Sequence, residues 1–356
     1  MTLLYIVAFL LLCIALNQLF KVVELSRDLK TEKEWRPRES DNRLNGRLML
    51  IFMVAFLWFF VWQIYRFGGD RILPVSASEH GVKIDWLLNV NYAIIIIVFV
   101  ITSIFLFLFA WKYYGRDNHK ATFYHHNNKL EMLWTVIPAI GLAFIIVFGL
   151  KYWNEIMARD NDPNPVKVEL YVKQFDWTAR YAGKDNKFGI DDYMQISGSN
   201  PVGLDTNDAA CNDDILVKNE FHLPKGKEVV FQFRSRDVIH SAYMPHFRAQ
   251  MNCVPGQVTA FRFKPTMTTA EMRKDPQVMR NISEINDIRV KRGDDPIEFD
   301  YVLLCNKICG ASHYNMQMKI VVDEPKDYEA WLAKQAKFRA PAAAEEKKTA
   351  ENREKK

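Results

Sequence analysis

The 356-residue sequence lacks several features that identify common classes of protein. It contains no glycine-rich phosphate-binding loop, no G-x-S-x-G nucleophile motif and no H-E-x-x-H zinc motif. Its five cysteines are too few for a disulfide-stabilised scaffold, and no C-x-x-C-H motif is present for covalent haem. The net charge of +5 is spread along the chain without a basic, aromatic-rich stripe, which argues against nucleic-acid binding.

Charge is also absent from four apolar runs in the N-terminal part of the chain. They cover residues 3–20, 48–65, 87–111 and 132–150. The second run would be about 27 Å long as a helix, enough to cross the hydrocarbon core of a membrane. A buried helix of a soluble protein would show polar residues at a spacing of about 3.6, and residues 93–101 show none. We therefore predict transmembrane helices.

The lysines and arginines between these runs predict the membrane topology. The first loop carries eight, the second three and the third four. The positive-inside rule then places the first and third loops in the cytoplasm, and the N-terminus and the C-terminal domain outside. The first run also resembles a signal peptide, although it lacks a positive n-region and a clear A-x-A site. Its cleavage would put the eight-cation loop on the wrong side, so four spans are favoured and cleavage is the alternative.

The C-terminal part, residues 159–335, has the pattern of an antiparallel β-sandwich. Apolar and polar residues alternate in the runs 166–172, 228–233, 259–263, 300–304 and 318–322. Two stretches are too long for ordinary loops and are interpreted as insertions. They are residues 183–219, which are polar, and residues 265–298, which are charged and predicted to be helical. Residues 336–356 are expected to form a disordered, charged tail.

Metal-ligating residues are concentrated in CNKICGASHYNM, residues 305–316. Two thiols, an imidazole and a thioether form a soft donor set, which selects copper over magnesium, calcium or manganese. The Cys-x3-Cys gap is unusual for structural zinc, for which methionine is not a ligand. Upstream, His240 lies in DVIHS directly after a predicted strand, and sheet pairing can bring it to this loop. A dinuclear copper site with two bridging thiolates is one outcome of such a pairing.

These two motifs together resemble the CuA site of cytochrome c oxidase subunit 2. The sequence NKLEMLWTVIPA, residues 128–139, is similar to the start of the second hairpin helix in that family. The resemblance covers about residues 85–335. It implies a transmembrane hairpin at residues 85–158, a cupredoxin-like β-sandwich at residues 159–335, and an additional pair of helices in residues 1–84.

The resemblance also implies an activity, in which the chain accepts electrons from cytochrome c, or from a cytochrome c domain of another complex, at CuA. Electrons would then pass to haem in subunit 1, where oxygen is reduced to water and protons are pumped. Subunit 1, other oxidase subunits and membrane lipid are the implied partners. The implied location is the inner membrane, with the copper domain on the periplasmic side. The alternative is a copper-less structural subunit of a quinol oxidase, against which the two cysteines argue.

Residue by residue, the resemblance assigns copper ligation to six positions. They are His240, Cys305, Lys307 through its backbone carbonyl, Cys309, His313 and Met316. Glu131 matches a position at the entrance of a proton-uptake path. Phe175 stands where the family has a tryptophan thought to receive the electron, and Trp177 lies two residues later. Because Lys307 replaces a glutamate that helps to bind magnesium, no magnesium is expected here.

Four questions stay open in the sequence. A disulfide between Cys211 and Cys253 is compatible with an exterior domain. The insertion at residues 265–298 lengthens the gap between His240 and Cys305, which suggests a partner contact near the face that accepts electrons. The purpose of the two additional helices and the physiological electron donor are not indicated by any motif.

Overall fold

The computed structural model describes residues 2–28, 38–68, 72–157 and 162–338. Four helices form the N-terminal part: α1 (Thr2–Asp28), α2 (Glu39–Phe67), α3 (Glu79–Lys112) and α4 (Asn128–Met157). Within the described residues, α2, α3 and α4 are each long and apolar enough to cross a membrane. Their apolar side chains are hardly covered by protein, which is the arrangement expected of helices surrounded by lipid.

The first predicted span falls in α1. The backbone is helical throughout Thr2–Asp28, and the side chains of residues 9–24 are exposed. Its role as a span stays a prediction. Most of the cationic stretch that follows it, residues 29–37, lies outside the described residues, as does most of the charged tail, residues 339–356.

The C-terminal part is a sandwich of two five-stranded sheets around a common apolar core. Its strands are β1 (Val166–Lys173), β2 (Asp176–Tyr181), β3 (Ile215–Val217), β4 (Glu220–Pro224), β5 (Val229–Ser235), β6 (His240–Met244), β7 (Ala249–Cys253), β8 (Thr259–Phe263), β9 (Tyr301–Cys305) and β10 (Gln317–Asp323). The first sheet has the order β3-β2-β1-β5-β8 and the second β4-β10-β9-β6-β7. The predicted sandwich is confirmed.

The direction of two strand pairs differs from the prediction. β1 pairs with β5 in parallel, and β4 pairs with β10 in parallel, whereas the neighbouring pairs are antiparallel. A parallel pair requires a long connection between its strands, and the chain between β1 and β5 includes β4 of the opposite sheet. Alternation of side chains reveals the buried face of a strand but not the direction of its neighbour.

Alternating apolar residues build the core. In β5, Val229, Phe231 and Phe233 are fully buried, while the residues between them are half-exposed. The Phe231 ring stacks on Phe263 of β8 at a centroid distance of 5.1 Å. Burial of each such side chain contributes roughly 1.5–3 kcal/mol. This packing supplies a rigid frame for the loops at the ends of the sandwich.

Residues 72–78, between α2 and α3, form a connector that lies against the β-domain. The Ala77 amide donates to the His246 carbonyl oxygen at 2.7 Å. The Ser78 hydroxyl donates to the Phe247 carbonyl oxygen at 2.7 Å. Ala77 and Ser78 are fully buried. We call this end of the sandwich the connector end.

An ion pair strengthens the connector end. The Arg248 guanidinium donates to both carboxylate oxygens of Asp85, in α3, at 2.7 and 2.8 Å. It also donates to the Pro74 carbonyl oxygen at 2.6 Å. The arginine side chain is almost fully buried. It therefore fixes the start of α3 and the connector to the same point of the β-domain.

The first predicted insertion, residues 183–219, has a small core of its own. Val202, Leu204 and Cys211 pack against Tyr171 of β1. A buried ion pair between Arg180 and Asp214, with the guanidinium donating at 2.5 and 3.0 Å, fixes the insertion to β2. The segment also contains β3, which the sequence did not predict. It covers the outer face of the first sheet.

The second insertion, residues 265–298, is helical as predicted, with α5 (Thr269–Met272) and α6 (Pro276–Arg292). A further helix, α7 (Pro325–Lys334), follows β10. Asp275 caps α6 by accepting hydrogen bonds from the amides of Gln277 and Val278. Gly293, with φ +83°, ends the helix in the left-handed conformation that glycine tolerates.

Both ends of this insertion lie at the connector end. Pro265 forms a bridge with Ser78, and the Phe299 ring contacts His246 at 4.9 Å. β6 begins, and its neighbour β9 ends, at the opposite end of the sandwich. The expectation that residues 265–298 lie near the face that accepts electrons, beside His240 and Cys305, is therefore wrong for both ends of the insertion. The extra residues extend from the end nearest α3.

Candidate metal centre

Sheet register brings His240 to the late cysteine cluster. His240 is the first residue of β6, not a residue at the end of the preceding strand, and it is fully buried. β6 pairs with β9 so that Ala242 lies opposite Cys305. Because side chains two residues apart share a face of the sheet, His240 and Cys305 point to the same side. We call this end of the sandwich the metal end.

The loop from β9 to β10 supplies the other candidate ligands. Cys305 ends β9, and a single turn of 3₁₀ helix at His313–Asn315 directs the chain back into β10. The amide of Cys305 donates to the Met316 carbonyl oxygen at 3.1 Å. This hydrogen bond joins the first and last candidate ligands of the loop.

The donor atoms converge on one small volume. The Cys305 and Cys309 sulfur atoms are 3.8 Å apart. The Cys305 sulfur is 3.8 Å from His240 Nδ1, and the Cys309 sulfur is 3.6 Å from His313 Nδ1. The Cys309 sulfur is also 3.2 Å from the Met316 sulfur. Ligand atoms of His240, Cys305 and Cys309 all lie within 4.8 Å of one another.

The backbone carbonyl and the charged side chain of Lys307 have different effects on the cluster. The residue is exposed, and its carbonyl oxygen lies 3.3 Å from the Cys305 sulfur. The carbonyl therefore faces the cluster, as the resemblance requires. A cation on the same residue is a poor neighbour for a second cation such as magnesium, and the absence of magnesium stays a prediction.

Burial keeps the Cys309 thiol protonated while no metal is bound. Burial, followed by the neighbouring Cys305 thiol, raises the pKa of Cys309 to about 11. A thiol with this pKa binds a metal only by losing its proton, so metal loading releases protons.

A carboxylate orients the His240 ring. His240 Nε2 donates to Asp237 Oδ1 at 2.9 Å, which leaves Nδ1 directed at the Cys305 sulfur. Burial opposes ionisation of Asp237, but hydrogen bonds from the Gln174 amide, His240 and the Val238 amide lower its pKa. Histidine ligands commonly donate their second nitrogen to such a carboxylate. Sequence reasoning assigned no role to the Asp237 side chain, although its spacing three residues before His240 was a usable signal.

Of the two aromatic candidates, Phe175 lies in the turn between β1 and β2, and Trp177 lies in β2. Trp177 is buried, and its ring meets the His240 ring edge-on at 6.5 Å. Phe175 is 38% exposed. A Cβ atom placed on Gly310 would lie only 2.9 Å from Phe175 Cζ, so the phenyl ring rests against the cysteine loop. The structure thus brings both residues to the metal end, and their part in electron transfer stays a proposal.

Glu131 lies elsewhere, in the first turn of α4. Its carboxylate accepts a hydrogen bond from the Asn127 amide at 3.3 Å, a position that also suits the positive end of a helix dipole. It is not part of the metal cluster.

Cys211 and Cys253 are both buried and free, so the disulfide considered between them is not formed.

The donor set fits copper. Two thiols, two imidazole nitrogens, a thioether and a carbonyl are the ligand types that copper takes in electron-transfer sites. The carboxylate oxygens preferred by magnesium or calcium are absent among these six positions. Asp237, the nearest carboxylate described above, is occupied by His240 and the Gln174 amide.

Comparison with known proteins identifies relatives of the whole arrangement. The family model described as "Cytochrome C oxidase subunit II, transmembrane domain" matches residues 60–152. The chain is 32% identical over 256 residues to the alternative cytochrome c oxidase subunit 2 of Bradyrhizobium diazoefficiens, covering 72% of this chain and 81% of that protein. It is 25% identical over 278 residues to cytochrome c oxidase subunit 2 of Cereibacter sphaeroides, covering 74% and 80%. The periplasmic domain of subunit II of cytochrome oxidase from Bradyrhizobium japonicum is a structural neighbour at 19% identity and a TM-score of 0.30, covering 48% of this chain and 94% of that domain.

Two of these matches show the family of the chain. The family model covers the end of α2, all of α3 and most of α4, and the 32% match spans 81% of a curated relative. The protein is a membrane protein with a cupredoxin-like domain, and it belongs to the cytochrome c oxidase subunit 2 family.

Proposed function

We propose that this chain is the electron-accepting subunit of a haem–copper terminal oxidase and holds a dinuclear CuA centre at the metal end of its β-domain. The observation that carries the proposal is the pair of buried thiols 3.8 Å apart, each with an imidazole nitrogen within 3.8 Å of its sulfur. A copper-less structural subunit would have no need of this arrangement.

Each residue of the site has a separate task in this proposal. Cys305 and Cys309 would hold the copper through their thiolates, and His240 and His313 would hold it through their imidazole nitrogens. Met316 and the Lys307 carbonyl would be weak outer ligands. When bound, copper supplies one-electron redox chemistry. The sandwich holds the ligands in place in both oxidation states, because three of them lie in or directly beside strands of one packed sheet.

Electrons would arrive from cytochrome c, or from a cytochrome c domain, on the face that carries Phe175. This ring is partly exposed and touches the cysteine loop, so it offers a short route inward, and buried Trp177 lies beside His240. The electrons would leave to haem in subunit 1, where oxygen is reduced to water and protons are pumped. The haem and the proton pumping belong to the complex.

The membrane part supports the same proposal. The cation count favours a β-domain on the periplasmic side of the inner membrane. The hairpin of α3 and α4 would then contact subunit 1, other oxidase subunits and lipid. Glu131 at the cytoplasmic start of α4 would lie at the entrance of a proton path. Residues 1–84, 85–158, 159–335 and 336–356 would then be the additional helices, the hairpin, the copper domain and the tail.

The test is the electron paramagnetic resonance spectrum of the full chain, purified in detergent and loaded with copper. We expect two copper ions per chain and one unpaired electron shared equally by both. A spectrum of a single isolated copper, or no retained copper after gel filtration, contradicts the proposal. Absence of copper together with normal assembly of the oxidase would favour the structural alternative.

A further inference from the structure

We infer that Gln174, in the turn between β1 and β2, is a positioning residue that holds the two halves of the metal centre together. The inference rests on the function proposed above. The candidate ligands come from two separate segments of one sheet: the start of β6, with His240, and the loop after β9, with Cys305 to Met316. The turn that contains Gln174 belongs to the opposite sheet.

The backbone of Gln174 holds the first half. Its amide donates to Asp237 Oδ2 at 2.7 Å, while Asp237 Oδ1 accepts from His240 Nε2 at 2.9 Å. One carboxylate therefore joins the turn to the histidine ligand. The Val238 amide, which donates to Asp237 Oδ1 at 2.7 Å, fixes this carboxylate further.

The side chain of Gln174 holds the second half. Its Nε2 donates to the carbonyl oxygen of Cys309 at 2.5 Å, across 135 residues of sequence. The adjacent Gly310 has φ +145°, and a Cβ atom there would lie 2.9 Å from Gln174 Nε2. The cysteine loop thus lies directly against the turn and has no room for a side chain at this position.

These two bonds are separable by mutation. The bond to Asp237 comes from a backbone amide and survives any substitution except proline. The bond to Cys309 comes from the side chain alone. Replacing Gln174 with methionine preserves the length and much of the volume of the side chain but removes the donor. The cysteine loop should then move relative to His240, while the sandwich and the histidine half stay intact.

The experiment uses the full chain in detergent, with Gln174→Met as the variant and Gln195→Met as the control. Gln195 is also hydrogen-bonded, to Asp205, but lies in the insertion at residues 183–219. We expect copper to be removed by a chelator about 10-fold faster from Gln174→Met, within the range for residues that support metal ligands. We also expect altered copper hyperfine splitting in its electron paramagnetic resonance spectrum. The control should match the wild type in both measurements.

Identical chelation rates and spectra for Gln174→Met and the wild type would overturn the inference. A double variant with Gly310→Ala gives a second test, because both changes disrupt one contact and their combined effect should be smaller than the sum of the two. Strict additivity would also overturn it. If Gln174→Met unfolds, Gln174→Asn, whose amide is too short to reach Cys309, replaces it.

A measurement without metal separates this inference from the proposed function. Amide hydrogen exchange in residues 309–313 of the metal-free chain should be faster in Gln174→Met than in the control. If the wild type shows no two-copper spectrum but this exchange difference is present, the proposed function fails and the positioning role of Gln174 stands. If the wild type shows the two-copper spectrum but no exchange difference is found, the proposed function stands and the positioning role fails.

Discussion

The two ends of the β-sandwich are built from the same strands in different ways. At the connector end, aromatic rings pack closely: the Phe247 ring lies 4.8 Å from Phe263 and 4.7 Å from Tyr301. At the metal end, donor atoms face one another, and a few hydrogen bonds to Asp237 and Cys309 hold the loops. The connector end combines the burial of large rings with several hydrogen bonds and the Arg248 ion pair. The geometry of the metal end depends on a few hydrogen bonds, and therefore more on single residues.

The largest effect is expected from removing a thiol at the metal end. Cys309→Ser should abolish the two-copper spectrum and reduce oxidation of cytochrome c by more than about 100-fold, the upper range for changes to supporting residues. Assembly of the oxidase should be largely retained, because serine replaces the buried cysteine with little change in side-chain volume. The measurements are copper content, spectrum and oxidase activity of the purified complex. Cys13→Ser, an exposed cysteine of α1, is the control, and equal losses in both variants would contradict the prediction.

At the connector end, a core substitution should lower stability and leave the copper spectrum unchanged. Phe247→Ala removes a fully buried ring, which costs about 3–5 kcal/mol of unfolding free energy. Thermal unfolding of the full chain in detergent measures the loss, and the spectrum of the folded fraction serves as the second reading. A changed copper spectrum in folded protein would show that the two ends are not independent.

Breaking the ion pair of the connector end should have an intermediate effect. Arg248→Met leaves Asp85 without its partner in a partly buried site, at a cost of about 2 kcal/mol, less than for a fully buried pair. Arg43→Met breaks the exposed pair with Glu39, which is screened by solvent, and should lower the melting temperature less than Arg248→Met does. Similar melting temperatures for the two variants would show that Arg248 does not hold the connector.

The smallest effect concerns pH. Burial lowers the pKa of His246, although its Nδ1 donates to the Val75 carbonyl oxygen at 2.9 Å. The unfolded chain then binds more protons at this residue than the folded chain does, so stability is lost as the pH falls through about 6.5. The loss is at most about 1.4 kcal/mol per pH unit. Melting temperatures between pH 5 and 8 should show a weaker slope for His246→Gln, and an unchanged slope would exclude His246 as the source.

Strands with one buried face and one more exposed face were predicted from the sequence. β5, with alternating buried and half-exposed residues, is an example. The residue types and spacing of residues 305–316 likewise predicted a cluster of sulfur and imidazole donors, which the structure contains. β2 was missed because the insertion at residues 183–219 covers its outer face and buries nearly every residue, which removes the alternation. β6 was missed for a similar reason: four of its five residues are buried.

Contacts between residues that are far apart in the chain have no characteristic sequence spacing from which they could be predicted. His240 and Cys305 meet through the register of β6 and β9. The sequence indicated only that sheet pairing can bring them together, and it did not predict this register. The bond from Gln174 to the Cys309 carbonyl joins residues far apart in sequence that belong to opposite sheets. Any polar residue in a turn has the same local appearance, so its partner is known only once both sheets are packed.

The length of β6 sets the distance between His240 and the connector end of the sandwich. His240 begins this strand, Met244 ends it, and the connector is bonded to the residues that follow. Four steps along a strand measure about 13 Å. In the proposed function, one extended segment with neighbours on both sides therefore sets the height of the copper ligands above the start of α3. Electron transfer is sensitive to distance, and here that distance is fixed by a strand that can neither stretch nor shorten without breaking its pairing.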